Sequence, residues 1–181
     1  MHNVQEETLL EMLRDTRSRR EAFPLVVKEF QRRVYSIVRK MVIDHDDADD
    51  IVQEVFVKVW HNIDKFKGES GLFTWIYRIA TNESLQFLRK RKNNVKLEED
   101  LGECFANEMS VVDTPGGEEI EMKLQKAILQ LPDKQRLVFN MRYYEELSYE
   151  EIAEITETSV GALKASYHHA ATKIEEYLQQ H

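Results

Sequence analysis

Apolar residues return every three or four positions along almost the whole chain, and that regularity restricts the fold more than any other feature of it. In DDIVQEVFVKVW, residues 49–60, Ile51, Val52, Val55, Phe56, Val59 and Trp60 form one stripe. Asp50, Gln53, Glu54 and Lys58 share the opposite face. The β-branched residues would suit a strand, but the period is helical. FPLVVKEFQRRVYSIVRKMV, residues 23–42, continues the pattern through Leu25, Phe30, Val34, Ile37, Val38 and Met41. SGLFTWIYRIATNESLQFLRKRK, residues 70–92, starts at a Gly- and Ser-containing break and ends in a basic cluster suited to a helix C-terminus. Three or four helices therefore make up the N-terminal part.

The regularity fails once. From Leu72 to Lys96 there are six basic residues against one acid, whereas from Glu98 to Glu121 there are nine acids and no Lys or Arg. The second stretch includes Pro115, Gly116 and Gly117, which break any helix. Residues 94–118 are accordingly expected to be a flexible acidic linker between two small all-α domains, 1–93 and 119–181. At 181 residues and 42% hydrophobic composition, the chain has enough apolar surface for a core in each.

Beyond the linker, LPDKQRLVFNMRYYEEL places Pro132 at a first-turn position and gives Leu137, Val138 and Met141 one face. In LSYEEIAEIT, Ser148 and Glu151 have the spacing of a capping box, so a new helix opens there. The next helix begins near Thr158 or Ser159 after a turn too short for anything but a helix pair, so the C-terminal domain contains a helix-turn-helix.

Other classes are weakly supported. Cys104 is the single cysteine, which excludes an internal disulfide and suits a reducing compartment. No signal-peptide core and no apolar run long enough for a membrane span is present, so a cytoplasmic protein without membrane insertion is expected. The six histidines lack metal-ligand spacing, and no Gly-rich phosphate loop, nucleophile elbow or triad pattern occurs. No metal, cofactor or catalytic residue is expected. Asp46, Asp47 and Asp50 do have the DDxxD spacing with which some all-helical prenyl-diphosphate enzymes hold magnesium, which leaves such an enzyme as a remote alternative. The same acids favour a helix N-terminus through its dipole. A helix-turn-helix regulator that binds duplex DNA on its own is the other alternative.

Four stretches in order, DADDIVQEVFVKVW, FKGESGLFTWIYRIATN, LPDKQRLVF and LSYEEIAEITETSVGALK, resemble the signature of the extracytoplasmic-function sigma factors, the two-domain specificity subunits of bacterial RNA polymerase. The resemblance implies that the first domain binds core polymerase and the melted −10 element, and that the second binds the −35 element as duplex. It implies further that the acidic linker threads towards the polymerase active-site channel, and that an anti-sigma factor restrains the protein. A net charge of −8 is then no objection, because a DNA-binding subunit clamped by a large enzyme need not neutralise every phosphate itself.

Residue by residue, the resemblance assigns core-polymerase contact to Asp49, Asp50, Gln53 and Glu54. For the −10 element it assigns the loop residues Lys65, Phe66, Gly68, Glu69 and Ser70 with Tyr77, Arg78, Asn82, Arg89 and Arg91 on the helix that follows. Tyr77 and Arg78 are taken as surface residues and Trp75 as core packing beside the DNA site. For the −35 element it assigns Ser159, Gly161, Lys164, Ala165, His168 and His169, with Val160, Leu163, Tyr167, Ala170 and Ile174 packing inward. Two departures from the family stand out. Glu157 occupies a turn position where glycine is usual, and an arginine usual near position 169 is missing, which costs bidentate guanine reading. Adjacent histidines gain charge on acidification, so −35 binding is expected to tighten as pH falls.

Overall fold

The computed structural model describes residues 4–15, 17–68, 70–94 and 117–180. Its elements are α1 (Val4–Arg14), α2 (Arg19–Val42), α3 (His45–Asn62), a 3-10 turn (Ile63–Lys65), α4 (Leu72–Asn94), α5 (Gly117–Leu129), α6 (Asp133–Tyr143), α7 (Tyr149–Thr156) and α8 (Val160–Gln180). Among the described residues the fold is all-α, as the periodicity dictates. They fall into two compact units, Met1–Ser84 with Ala153–Glu157, and Leu85–Ile152 with Thr158–His181. Residues 95–116 of the expected linker 94–118 lie outside the described residues; Asn94 ends α4, and Gly117, expected to break a helix, instead opens α5 together with Glu118.

In the first unit α2 and α3 fold back on each other across a two-residue connection. Val26, Phe30, Val34, Ile37, Val38 and Met41 of α2 are buried, as are Ala48, Ile51, Val55, Phe56 and Val59 of α3. Leu25 departs from the expected stripe: it is 48% exposed, because Val26, one position on, takes the inward place. The connection is a positive-φ γ-turn centred on Ile43 (φ 72°), closed by the Asp44 N–H donating to the Val42 carbonyl at 2.9 Å. Asp44 then caps α3, its carboxylate accepting from the Asp47 N–H at 3.0 Å. Asp46 and Asp47 sit in the first turn, the dipole-favoured place. Among the described residues no three metal-ligating side chains come together. Helix α4 lies across α2: Tyr77 donates its hydroxyl proton to the Arg33 carbonyl at 3.1 Å, and Phe73 packs 6.5 Å from Phe30 between ring centres.

In the second unit Ala127, Ile128, Leu131, Phe139, Ala170 and Ile174 form a core shared by α5, α6 and α8. Pro132 is the residue before α6, not within its first turn; its extended ψ of 141° sets the chain up for Asp133 to begin the helix. The capping box forms as its spacing requires: the Ser148 N–H donates to the Glu151 carboxylate at 2.8 Å, and the Glu151 N–H donates to the Ser148 hydroxyl at 3.2 Å. Helix α8 is capped by Ser159, whose hydroxyl accepts from the Ala162 N–H at 3.3 Å. Between α7 and α8, Glu157 has φ 53°, the left-handed conformation for which glycine is the unstrained residue.

Candidate functional site

Three surfaces carry the residues singled out by sequence. On α3, burial of Ile51, Val55, Phe56 and Val59 turns Asp49, Asp50, Gln53 and Glu54 outward, and all four are exposed. Glu54 lies 3.5 Å from the Lys58 ammonium, which is held at 2.5 Å by Glu83 of α4. That hydrogen bond to Glu83 raises the Lys58 pKa above its ordinary value. Asp49 lies 3.7 Å from His45, whose other ring nitrogen is 2.6 Å from the Tyr35 hydroxyl. Beside Gln53 opens a cavity of 430 Å³ lined by Phe23, Val27, Val52, Phe56, Val57 and Trp60. Val57, 48% exposed, belongs to this apolar edge, and the stripe reading of the helix overlooked it.

The second surface is the loop after the 3-10 turn together with α4. Lys65 and Gly68 are exposed, Ser70 is half-buried, and Glu69 lies outside the described residues. Phe66 is not available to a base. Its ring is 7% exposed and packs on Trp75, centre to centre 4.9 Å, so it anchors the loop from beneath. Trp75 is itself half-buried, as packing beside an open surface demands. Tyr77 is not a surface residue either: it is fully buried, 4.1 Å from the Phe73 ring centre, with its hydroxyl bound to α2. Positions 73 and 77 are one helical turn apart and share the face that α2 covers. Arg78 is half-buried and paired at 2.9 Å with Glu157 of the same compact unit. Asn82 and Arg89 are exposed and Arg91 is half-buried.

The third surface is the outer side of α8. Ser159, Gly161, Lys164, Ala165, His168 and His169 are all exposed. Leu163, Ala170 and Ile174 are buried, and Val160 and Tyr167 are half-buried between the two sides. Nothing lies within 4 Å of where a Cβ at Gly161 would stand, so the helix is bare there. Two residues absent from the sequence reading join this surface. The Lys164 ammonium lies 5.7 Å from the centre of the Tyr149 ring, and the Arg142 guanidinium 5.3 Å from the same ring. Arg142 also donates to the Leu147 carbonyl at 3.0 Å, which fixes it at the entry to α7. One aromatic ring thus gathers two cations at the mouth of the helix-turn-helix.

The family model for Sigma-70 region 2 matches residues 26–94, and that for Sigma-70, region 4 matches residues 121–174. The ECF RNA polymerase sigma-E factor of Haemophilus influenzae is 32% identical over 88% of this chain and 89% of its own. The chain belongs to the extracytoplasmic-function sigma factors. SigW, an ECF RNA polymerase sigma factor of Bacillus subtilis, is 31% identical over 88% of this chain and 90% of its own. The same fold is found in CnrH, solved in complex with the cytosolic domain of CnrY, at a TM-score of 0.71, 20% identity and 97% coverage of each chain. It recurs in the sigma factor RpoE of Bartonella quintana, solved with the anti-sigma factor NepR, at a TM-score of 0.65, 24% identity and coverage of 87% of this chain and 96% of that one.

For a sigma factor the arrangement is chemically coherent. An acidic and amide-bearing helix face suits a basic protein partner. The basic residues Arg89, Lys90, Arg91 and Lys92 suit the phosphates of a single strand, and a helix with a bare outer side bearing Lys164 suits a duplex groove. Among the described residues no helix is long and apolar enough to cross a membrane.

Proposed function

We propose that this chain is the promoter-selecting subunit of a bacterial RNA polymerase, acting in the cytoplasm and carrying no catalytic residue of its own. Asp49, Asp50, Gln53 and Glu54 dock on core polymerase. Lys65, Gly68, Glu69, Ser70 and Asn82 meet the bases of the opened −10 strand, while Arg78, Arg89 and Arg91 hold its backbone. Ser159, Gly161, Lys164, Ala165, His168 and His169 enter the −35 major groove, with the Tyr149 ring steadying Lys164 and Arg142 adding a second cation at its edge. Residues 1–93 form the core-binding and −10 domain, 119–181 the −35 domain, and the acidic segment between them runs towards the active-site channel. An anti-sigma factor that covers the core-binding face holds the protein inactive.

The observation that carries this reading is the division of α8 into a buried apolar side and a fully exposed side bearing Lys164 and the two histidines. A helix that only packed would also keep one side open to water; what favours DNA contact is that this side carries Lys164, held against Tyr149 at the mouth of the helix-turn-helix. Mixing the purified chain with core polymerase and a promoter duplex tests it. A stable ternary complex by native mass spectrometry is expected, and duplex binding without any association with core would instead identify a free-standing regulator.

A further inference from the structure

Helix α1 lies outside the stretch matched by Sigma-70 region 2, residues 26–94, yet arginines of this N-terminal segment end on the loop assigned to the −10 element. Arg14 Nη2 donates to the Phe66 carbonyl at 3.2 Å, and its guanidinium carbon stands 5.8 Å from the centre of the Phe66 ring. Two residues on, Gly68 has φ 78°, and a Cβ there would sit 2.8 Å from the same Arg14 Nη2. Arg19 grips both carboxylate oxygens of Asp64 in the 3-10 turn, while its Nε donates to the Leu13 carbonyl near the end of α1 at 2.8 Å. The hydrogen bond from Arg19 holds the Asp64 carboxyl below its ordinary range. The loop is therefore fastened by Ile63, whose carbonyl accepts from the Phe66 N–H at 3.1 Å, by Trp75 under Phe66, and by the two arginines.

We propose that Arg14 is a positioning residue for promoter melting. It clamps the Phe66 carbonyl and fills the space that any side chain at position 68 would claim. The backbone from Phe66 to Gly68 is thereby held in place before DNA arrives. A base leaving the stack is captured only by groups already in place, and an unfastened loop loses that advantage to the entropy of ordering it. The inference rests on the reading of residues 65–70 as the −10 loop.

The test uses the full chain with core polymerase and one promoter recovered by run-off selection, presented both as duplex and with the −10 segment pre-melted by mismatches. Arg14→Ala and Gly68→Ala are each expected to lower open-complex formation on the duplex roughly tenfold, the scale of one lost hydrogen bond from a charged donor. On the pre-melted template the loss should fall to about twofold or less, because most of the melting step is bypassed. Arg14→Lys, which keeps a donor but not the fork, should recover part of the activity. In the double variant Arg14→Ala with Gly68→Ala the crowding of the new Cβ is relieved while the strain of an alanine at φ 78° stays, so its loss should be smaller than the product of the two single losses. Equal losses on duplex and pre-melted template, or additive losses in the double variant, would mean a merely structural role. Wild-type opening by Arg14→Ala, in a preparation where Lys65→Ala with Ser70→Ala opens poorly, would overturn the inference alone. Wild-type opening by the Lys65→Ala with Ser70→Ala variant would overturn the −10 assignment on which it rests.

Discussion

Replacing Glu157 by glycine should relieve backbone strain, an effect that shows once the ion-pairing side chain is removed from both sides of the comparison. Glu157 is held at φ 53°, and a non-glycine residue in the left-handed region costs about 1–2 kcal/mol. Glycine removes that strain but is freer in the unfolded chain, which offsets roughly 0.5–1 kcal/mol. The side chain is 70% exposed, and its contact with Arg78 at 2.9 Å is of the surface kind that contributes about 0–1 kcal/mol. Glu157→Gln removes the ion pair while leaving the backbone strained, so the difference between the glycine and glutamine variants isolates the backbone. That difference should favour glycine by about 0.5–1 kcal/mol, a rise of roughly 2–8 °C in the transition of a unit this size. Scanning calorimetry of the full chain measures it. A glycine variant melting at or below the glutamine variant would refute the strain argument.

Three further outcomes are expected. Reversing both charges in Asp50→Lys with Glu54→Lys should weaken core binding by about tenfold or more while circular dichroism stays unchanged, since both side chains are exposed and make no part of the core; unchanged affinity would exclude this face. Asn82→Ala should reduce permanganate reactivity of −10 thymines in open complexes without altering core affinity, and a wild-type footprint would remove Asn82 from the site. On a −35 duplex, Lys164→Ala should lower the salt dependence of binding by about one unit of slope, and His168→Ala with His169→Ala should weaken binding most at acidic pH; identical curves for all three proteins would mean that α8 only packs.

Much of this was legible along the chain. The 3.6-residue period located α2, α3 and α4 but not α1 or α5, and the capping box at Ser148 and Glu151 started α7 where it was expected. The inward residues of α8 followed from spacing, with Leu163, Ala170 and Ile174 buried and Val160 and Tyr167 half-buried, while its outward set came from the family resemblance. Errors arose where a helix has two neighbours and not one. Tyr77 looks exposed if α4 buries a single stripe, but α2 covers a second, and the hydroxyl finds the Arg33 carbonyl 44 residues away. Phe66 reads as a loop residue, yet its ring is drawn under Trp75. Arg136 is 5% exposed although arginine ordinarily marks surface; burial lowers its pKa, and Asp133 opposes that shift. The Arg14 contact to Phe66 spans 52 positions and the Arg142–Tyr149–Lys164 cluster bridges three helices. No local spacing rule reaches that far.

The most direct measurement is multi-template run-off transcription, with core polymerase and a library of bacterial promoters, in the presence and absence of this chain. Addition of the chain should switch on a small set of promoters that share one −35 and one −10 sequence, with transcription abolished by Asp50→Lys with Glu54→Lys. Transcripts that are the same with and without the chain, under conditions where the chain is folded and core is active, would contradict the account.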